Sequence, residues 1–449
     1  MEARRPKGRR SPPDLVHGWI ILDRFVHSSD GDVDADDDVT ASEIALTCSG
    51  RRVRASLRVA DPPAVSRLRI HRLDADQPWP DAYILRHAQV VAAHRGSILF
   101  WARVPFADDE FVVPGYFPVD YFVYTAGGAA ASSPPSLTRL PPCFIGGAAP
   151  DDEDHYFKPY RKQHQRIMLD ENVGFLTGDG DGEFTVADIT IVDCTSLHLC
   201  ILNHHERSPS PVQWRMHRLE MQRKKQMRRK LSKWVNDVVL PCRTAATCAS
   251  STTTCSSTRR SCDTSGGRPR SSSMCLGNLR RVDNARLHIQ WQRQKEEQVC
   301  TSCNFHLIDI HKCIWLHDFT MEADEFWRIC ARENELRLPL VTPSFPVVSL
   351  VDLHAISFLL KDGENGLYWL VEVDMRNKAM ISPAALYINE EEEEGRCCGD
   401  NEIWKPFDGH YFIPSWFTSY LHEDPIQRFD MHVLRLFVPY AFTTSEEHS

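Results

Sequence analysis

Cysteine and histidine crowd most closely at Cys300-Thr301-Ser302-Cys303, with His306, His311 and Cys313 close behind. Zinc takes four nitrogen or sulfur ligands in a tetrahedron, and a C-x-x-C arm with a nearby His or Cys supplies such a set. Cys300, Cys303, His306 and Cys313 are thus the candidate metal ligands of this chain. Ordinary reduced thiols are the competing reading. His306 and His311 stand at an odd offset in an expected strand, where odd and even positions face opposite ways. The chain has no second C-x-x-C at zinc-ribbon spacing, so neither a metal nor any other cofactor is expected.

The remaining clusters carry less. Cys242, Cys248, Cys255, Cys262 and Cys275 sit among Ser, Thr and Arg with no apolar support, and Cys397-Cys398 are adjacent, which is poor geometry for joint ligation. Thr177, Asp179, Asp181, Gly182 and Asp188 fall on a calcium-loop template. Thr and Asp occupy its first and last positions, however, and the flanks alternate like strands where helices are needed. A Gly-Asp-Gly-Asp-Gly hairpin turn fits better. His204-His205-Glu206 reads as an exposed turn at a strand end rather than an acid-base pair. The chain holds no G-x-S-x-G, H-E-x-x-H, Walker or dinucleotide-binding pattern, so nothing positive argues for an enzyme.

One basic stretch stands out, Arg223 to Lys233. Its Arg223, Lys224, Lys225, Arg228, Arg229 and Lys230 suit a nuclear import signal or contact with a polyanion. Only Trp234 at its edge offers an aromatic for base stacking, and the net charge of the chain is −9. Nucleic acid is therefore not the expected partner.

The 449 residues are 42% hydrophobic and 25% charged, enough to bury a substantial core. No apolar run approaches the ~20 residues needed to cross a bilayer. The basic, proline-containing start from Met1 to Pro13 lacks the apolar core of a signal peptide. A cytoplasmic or nuclear location is expected, where the fifteen cysteines stay reduced.

Positioning elements can be read from periodicity. In Arg52 to Val59 the apolar Val53, Ala55, Leu57 and Val59 alternate with Arg52, Arg54, Ser56 and Arg58, and Leu68 and Ile70 alternate with Arg67, Arg69 and His71. Further strands are expected at 19–26, 97–104, 119–125, 184–192, 197–203, 212–219, 305–310, 347–350, 355–360, 367–375 and 433–438. Asp61-Pro62-Pro63, Gly127-Gly128, Gly178 to Gly182, Asp362-Gly363 and Asp408-Gly409 supply the turns between them. The fold class is all-β with many short antiparallel strands, and at this length a propeller-like ring is favoured over a single sandwich. One short basic helix is expected between Leu219 and Trp234.

Several of these stretches resemble the plant family called domain of unknown function 1618. They are Trp19 to Val26 (WIILDRFV), Val90 to Phe100 (VVAAHRGSILF), Tyr116 to Tyr124 (YFPVDYFVY), Gln165 to Met168 (QRIM), Phe345 to Leu350 (FPVVSL) and Trp369 to Lys378 (WLVEVDMRNK). The likeness covers most of residues 16–240 and 300–385. It implies no activity, cofactor or catalytic residue. The chain departs from the family between Cys242 and about Val299, a segment that opens with CRTAATCASSTTTCSSTRRSCDTSGGRPRSSSMC. Reading the codons of Arg243 to Thr254 one base earlier allows Asp-Arg-Arg-Tyr-Leu-Cys-Val-Val-Asp-Tyr-Tyr, a strand of the family's kind. A frameshift or faulty gene model across 243–299 is the expectation.

The resulting domain plan has a disordered basic tail at 1–15 and all-β parts of one domain at 16–241 and 300–440. Between them lies a disordered or frameshifted segment at 242–299, and a short tail at 441–449 ends the chain. The expected role is a non-catalytic module that binds an as yet unknown protein. The alternatives are a hydrolase-like enzyme with an unrecognised site and a nuclear, nucleic-acid-associated protein acting through 223–233.

Overall fold

Trp19-Ile20-Ile21-Leu22 is apolar at four successive positions, the pattern of a strand covered on both faces. In the computed structural model this is β1 (Trp19–Asp23), and all five of its residues are buried. The structure describes residues 18–30, 38–74, 79, 85, 88–105, 117–127, 134–143, 166, 168, 172–178, 182–193, 196–205, 212–220, 238–242, 247–251, 285–293, 300–309, 314–332, 338–341, 343–352, 354–362, 366–389 and 412–417. The chain divides into two compact units. One comprises Met1–Ile167 with Asn284–Ser449, the other Met168–Asp283.

In the first unit β1 is followed by β2 (His27–Asp30), β3 (Ala45–Leu46), β4 (Arg52–Arg58) and β5 (Val65–Arg72). Next come β6 (Ala88–His94), β7 (Ser97–Arg103), β8 (Val119–Thr125) and β9 (Ser136–Arg139). The second unit supplies β10 (Val173–Thr177), β11 (Phe184–Asp193), β12 (Ser196–His204), β13 (Arg215–Glu220), β14 (Val238–Cys242) and β15 (Thr247–Ser251). The chain then returns to the first unit with β16 (Ala285–Arg293), β17 (Cys300–Asp309), β18 (Ile314–Glu322) and helix α1 (Ala323–Arg332). Last are β19 (Ser344–Val348), β20 (Ala355–Asp362), β21 (Leu367–Asp374), β22 (Ala379–Met380), β23 (Ala385–Asn389) and β24 (Phe412–Trp416).

Three sheets of the first unit stack face to face. The first runs β24-β1-β5-β4-β3 with β2 also on β5, the second runs β6-β7-β8-β9, and the third runs β19-β20-β21 with β22 and β23 both on β21. Strand alternation divides the side chains. Ile20, Leu22, Val53, Ala55, Leu57, Leu68 and Ile70 meet Val90, Ile98, Phe100, Phe122 and Tyr124 of the second sheet. From the opposite face Trp19, Ile21 and Phe412 meet Val347, Leu359, Tyr368, Leu370 and Tyr387 of the third. The far face of the third sheet buries Ile356, Phe358, Leu360, Val371 and Val373 against Phe326, Ile329 and Cys330 of α1. The first and second sheets also meet along their margins, where Val26 N donates to Ala88 O at 3.0 Å and Glu43 N to Pro135 O at 3.2 Å.

Pairing of β1 with β24, Trp19 opposite Trp416 through Asp23 opposite Phe412, joins segments from opposite ends of the sequence. In the second unit, β10 to β13 form an antiparallel meander and β14 pairs with β15. The class is all-β. Among the described residues no closed barrel or ring of blades is formed.

Some expectations are modified, and others fall outside the described residues. The helix of the described residues is α1, where Phe326, Ile329 and Cys330 repeat at helical spacing and Asp324 and Glu325 sit in the first turn, favourable at a helix N-terminus. Leu219, expected to open a basic helix, lies within strand β13, which runs to Glu220, and 221–237 lie outside the described residues. Two strands, β15 and β16, occupy parts of the segment expected to lack structure. The alternation of Leu287, Ile289 and Trp291 with His288, Gln290 and Gln292 is the signal for β16. The expected strand at 433–438 lies outside the described residues.

Turns obey local chemistry. His94 pairs with Ser97 around Arg95 (φ 46°) and Gly96 (φ 82°). Positive φ at both central residues makes the tight reversal whose twist matches two antiparallel strands. Asp61-Pro62-Pro63 turns as expected, with Ala64 N donating to Asp61 O at 3.0 Å.

Candidate functional site

Of the candidate metal ligands, Cys300, Cys303 and His306 lie on β17, while His311 and Cys313 fall outside the described residues. The register sets Cys303 opposite Trp291 and Met321, and His306 opposite His288 and His317. Among the described residues no group of three or more His, Cys, Asp or Glu is placed to hold a metal ion. The basic candidates Arg223, Lys224, Lys225, Arg228, Arg229 and Lys230 also lie outside them.

Of the calcium-template residues, Thr177, Gly182 and Asp188 belong to the β10–β11 hairpin, while Asp179 and Asp181 lie outside the described residues. Thr177 pairs with Phe184 across it, Gly178 N donates to Glu183 O at 2.7 Å, and Gly182 takes φ 71°. A Cβ on Gly178 would stand 2.8 Å from Cβ of Glu183, so the close reversal needs glycine there. His204 stacks on Phe184 with ring centres 4.5 Å apart, its Nδ1 3.0 Å from Gly182 O. His205 Nδ1 lies 3.6 Å from Glu183 Oε1. These histidines brace the hairpin.

The densest polar arrangement lies on the face of the first sheet turned toward the third. Asp23 ends β1, where the sequence changes from apolar to charged, and its side chain is 0% exposed. Phe25 N donates to its Oδ1 at 3.0 Å and the Tyr387 hydroxyl to its Oδ2 at 3.1 Å. Arg67 Nε stands 3.7 Å and His27 Nε2 3.6 Å from the same Oδ2. Arg67 also donates to Tyr387 O and lies over the Tyr387 ring, 5.4 Å from its centre. A buried carboxylate is tolerated only with such partners.

A second arrangement continues along the same face. β2 runs parallel to β5 with His27 opposite Arg69 and Ser29 opposite His71. Ser29 Oγ is 2.8 Å from His71 Nδ1, and Ser56 Oγ of β4 is 2.9 Å from His71 Nε2. His71 and Ser56 are buried, whereas Ser29 is half-buried. An imidazole between two hydroxyls can take a proton from one side while the other side orients the ring.

A third polar centre lies on the second sheet. Cys48 N donates to Asp120 Oδ2 at 2.6 Å, and Arg139 Nη1 stands 3.9 Å from Asp120 Oδ1. Burial pushes the Asp120 carboxyl above its usual range, against the lowering effect of the Cys48 hydrogen bonds and the Arg139 charge.

Asp23, His27, Arg67 and Tyr387 carry no motif spacing, and only the Arg67, Arg69, His71 alternation hinted at a polar face here. Compared with protein-family models, curated proteins and solved structures, the chain has no match. No helix among the described residues is long and apolar enough to cross a membrane.

Proposed function

We propose that this chain is a non-catalytic scaffold that binds another protein, on a propeller-like arrangement of sheets. The observation that carries this reading is the exposure of large apolar side chains around the third sheet. Leu340 is 80% exposed and Val351 57%, with Ile381 and Leu386 also on the surface. Covering such groups removes apolar surface from water, and a partner protein can supply that cover. Support for the propeller-like arrangement comes from the first sheet, which packs one face on the sheet that comes after it in sequence and the other on the sheet near the C-terminus. The β1 to β24 pairing adds to it, since a ring of blades closes by joining the ends of a chain. The likeness to domain of unknown function 1618 is part of the same reading, as is a cytoplasmic or nuclear location.

The test is quantitative capture of partners by the full chain, set against Leu340→Asp and Leu386→Asp variants with unchanged melting. A bound protein lost from both variants supports the reading. Equal capture by all three, or none by the wild type, defeats it.

Ser29 and His71 favour a second reading, a hydrolase-like enzyme. Ser29 Oγ would attack an acyl carbon, its proton passing to His71 Nδ1 and then to the departing alcohol, and water would release the acid. Covalent labelling of Ser29 by a fluorophosphonate, abolished in His71→Gln, is the result expected of that reading; an unlabelled Ser29 rejects it.

A further inference from the structure

We propose that the arginine-bearing face of β4 and β5 docks an acidic, extended segment of a partner protein. This rests on the protein-binding reading and names the chemistry of the partner. The antiparallel register sets Arg58 opposite Arg67, Ser56 opposite Arg69 and Arg54 opposite His71. With Arg52 at the start of β4, five guanidinium groups share one face. The strands of that sheet contribute one carboxylate to the same face among the described residues, Asp23, which is buried against Arg67, His27 and Tyr387. Asp74, just after β5, accepts from Arg52 N at 2.9 Å.

Like charges directly opposite across a strand pair destabilise it. A strand pair that keeps them is relieved when negative charge arrives from outside. Arg52 and Arg58 are exposed, while Arg54, Arg67 and Arg69 are half-buried and engaged by neighbours. The two exposed groups therefore offer the donors, and the three others add to the local positive potential.

Spacing selects the shape of the partner. A strand rises ~3.4 Å per residue, so Arg52 and Arg58 are about 20 Å apart along β4, a span that an extended peptide of similar length matches. Acidic residues at alternate positions of such a peptide recur about every 7 Å, in step with Arg52, Arg54 and Arg58, and carboxylates accept guanidinium groups bidentately. Single-stranded nucleic acid has phosphates to offer but asks for aromatic platforms as well. β4 and β5 contain no Phe, Tyr or Trp.

The experiment measures fluorescence anisotropy of a labelled octapeptide of alternating Glu and Ser with the full chain, beside Gln-Ser and Lys-Ser peptides and an oligothymidylate. The glutamate peptide is expected to bind, more weakly as salt rises, and to lose roughly tenfold in affinity in Arg52→Glu/Arg58→Glu. Unchanged melting of that variant shows that it still folds, and Arg52→Lys/Arg58→Lys is expected to keep part of the affinity. No binding by the wild type, equal binding by the charge-reversed variant, or tighter binding of the oligothymidylate overturns the inference. Failure of the peptide while partner capture through Leu340 and Leu386 persists removes this inference alone. Peptide binding with no captured protein removes the wider reading alone.

Discussion

The Tyr387 hydroxyl donates to Asp23 Oδ2 at 3.1 Å across 364 residues of sequence. It fastens β1 to β23, and Arg67 of β5 clasps both partners through the Asp23 carboxylate and the Tyr387 ring and carbonyl. First and third sheets are thereby tied by polar bonds beside the apolar contact of Trp19, Ile21 and Phe412.

Removing the hydroxyl alone in Tyr387→Phe is expected to cost about 1 kcal/mol of unfolding free energy. Asp23→Ala is expected to cost about 3 kcal/mol, because Arg67 then keeps its position without the buried countercharge. Urea denaturation of both variants checks this. A larger loss for Tyr387→Phe than for Asp23→Ala contradicts the account.

Asp120 makes stability depend on pH in a stated direction. Burial holds its folded carboxyl above the usual range, so the folded chain keeps this proton to a higher pH than the unfolded chain does. Its contribution is complete below the unfolded value and is lost as pH rises through the folded one. Asp120→Asn keeps an acceptor for Cys48 N and removes the titration. Its stability relative to wild type is expected to increase from acidic to neutral pH, measured by denaturation at a series of pH values; the opposite slope refutes the assignment.

Helix α1 is held by one face. Phe326 meets the edge of Phe358 with ring centres 5.5 Å apart, above Ile356, Leu360, Val371 and Val373 of the third sheet. Phe326→Ala is expected to destabilise by about 3–5 kcal/mol. Arg328→Ala, on the exposed side, is expected to change stability by less than about 0.5 kcal/mol. Equal effects in thermal melting would show that α1 does not pack as described.

The basic stretch gives a prediction for cells. Replacing Arg223, Lys224, Lys225, Arg228, Arg229 and Lys230 by Ala in a fluorescent fusion is expected to shift the protein from nucleus toward cytoplasm. An unchanged distribution leaves these residues as a solvated surface.

Much of the strand content was legible because side chains in a strand alternate between faces. Arg52 to Val59 and Val119 to Thr125 could be placed from their own residues. Strands such as β2 and β3, four and two residues long, gave too few positions for a period, and α1 is a single short helix between strands. The site was scarcely legible. Asp23 looked like the polar end of an apolar run, and Tyr387 like one aromatic among many. Their meeting depends on how two sheets separated by most of the chain lie on each other.

Taken alone, the sequence determined the all-β class, the polar and apolar faces of β4 and β5, and the absence of familiar catalytic motifs. Those properties are local, set by the two-residue period of a strand and by the fixed spacing that a motif requires. Only the tertiary structure decided that β1 pairs with β24, that β1 is covered on both faces, and that Asp23, Arg67 and Tyr387 share one bond network. Backbone hydrogen bonding is much the same for any pair of strands. The choice of partner is therefore made by which buried faces fit and which buried charges find countercharges once the whole chain has folded.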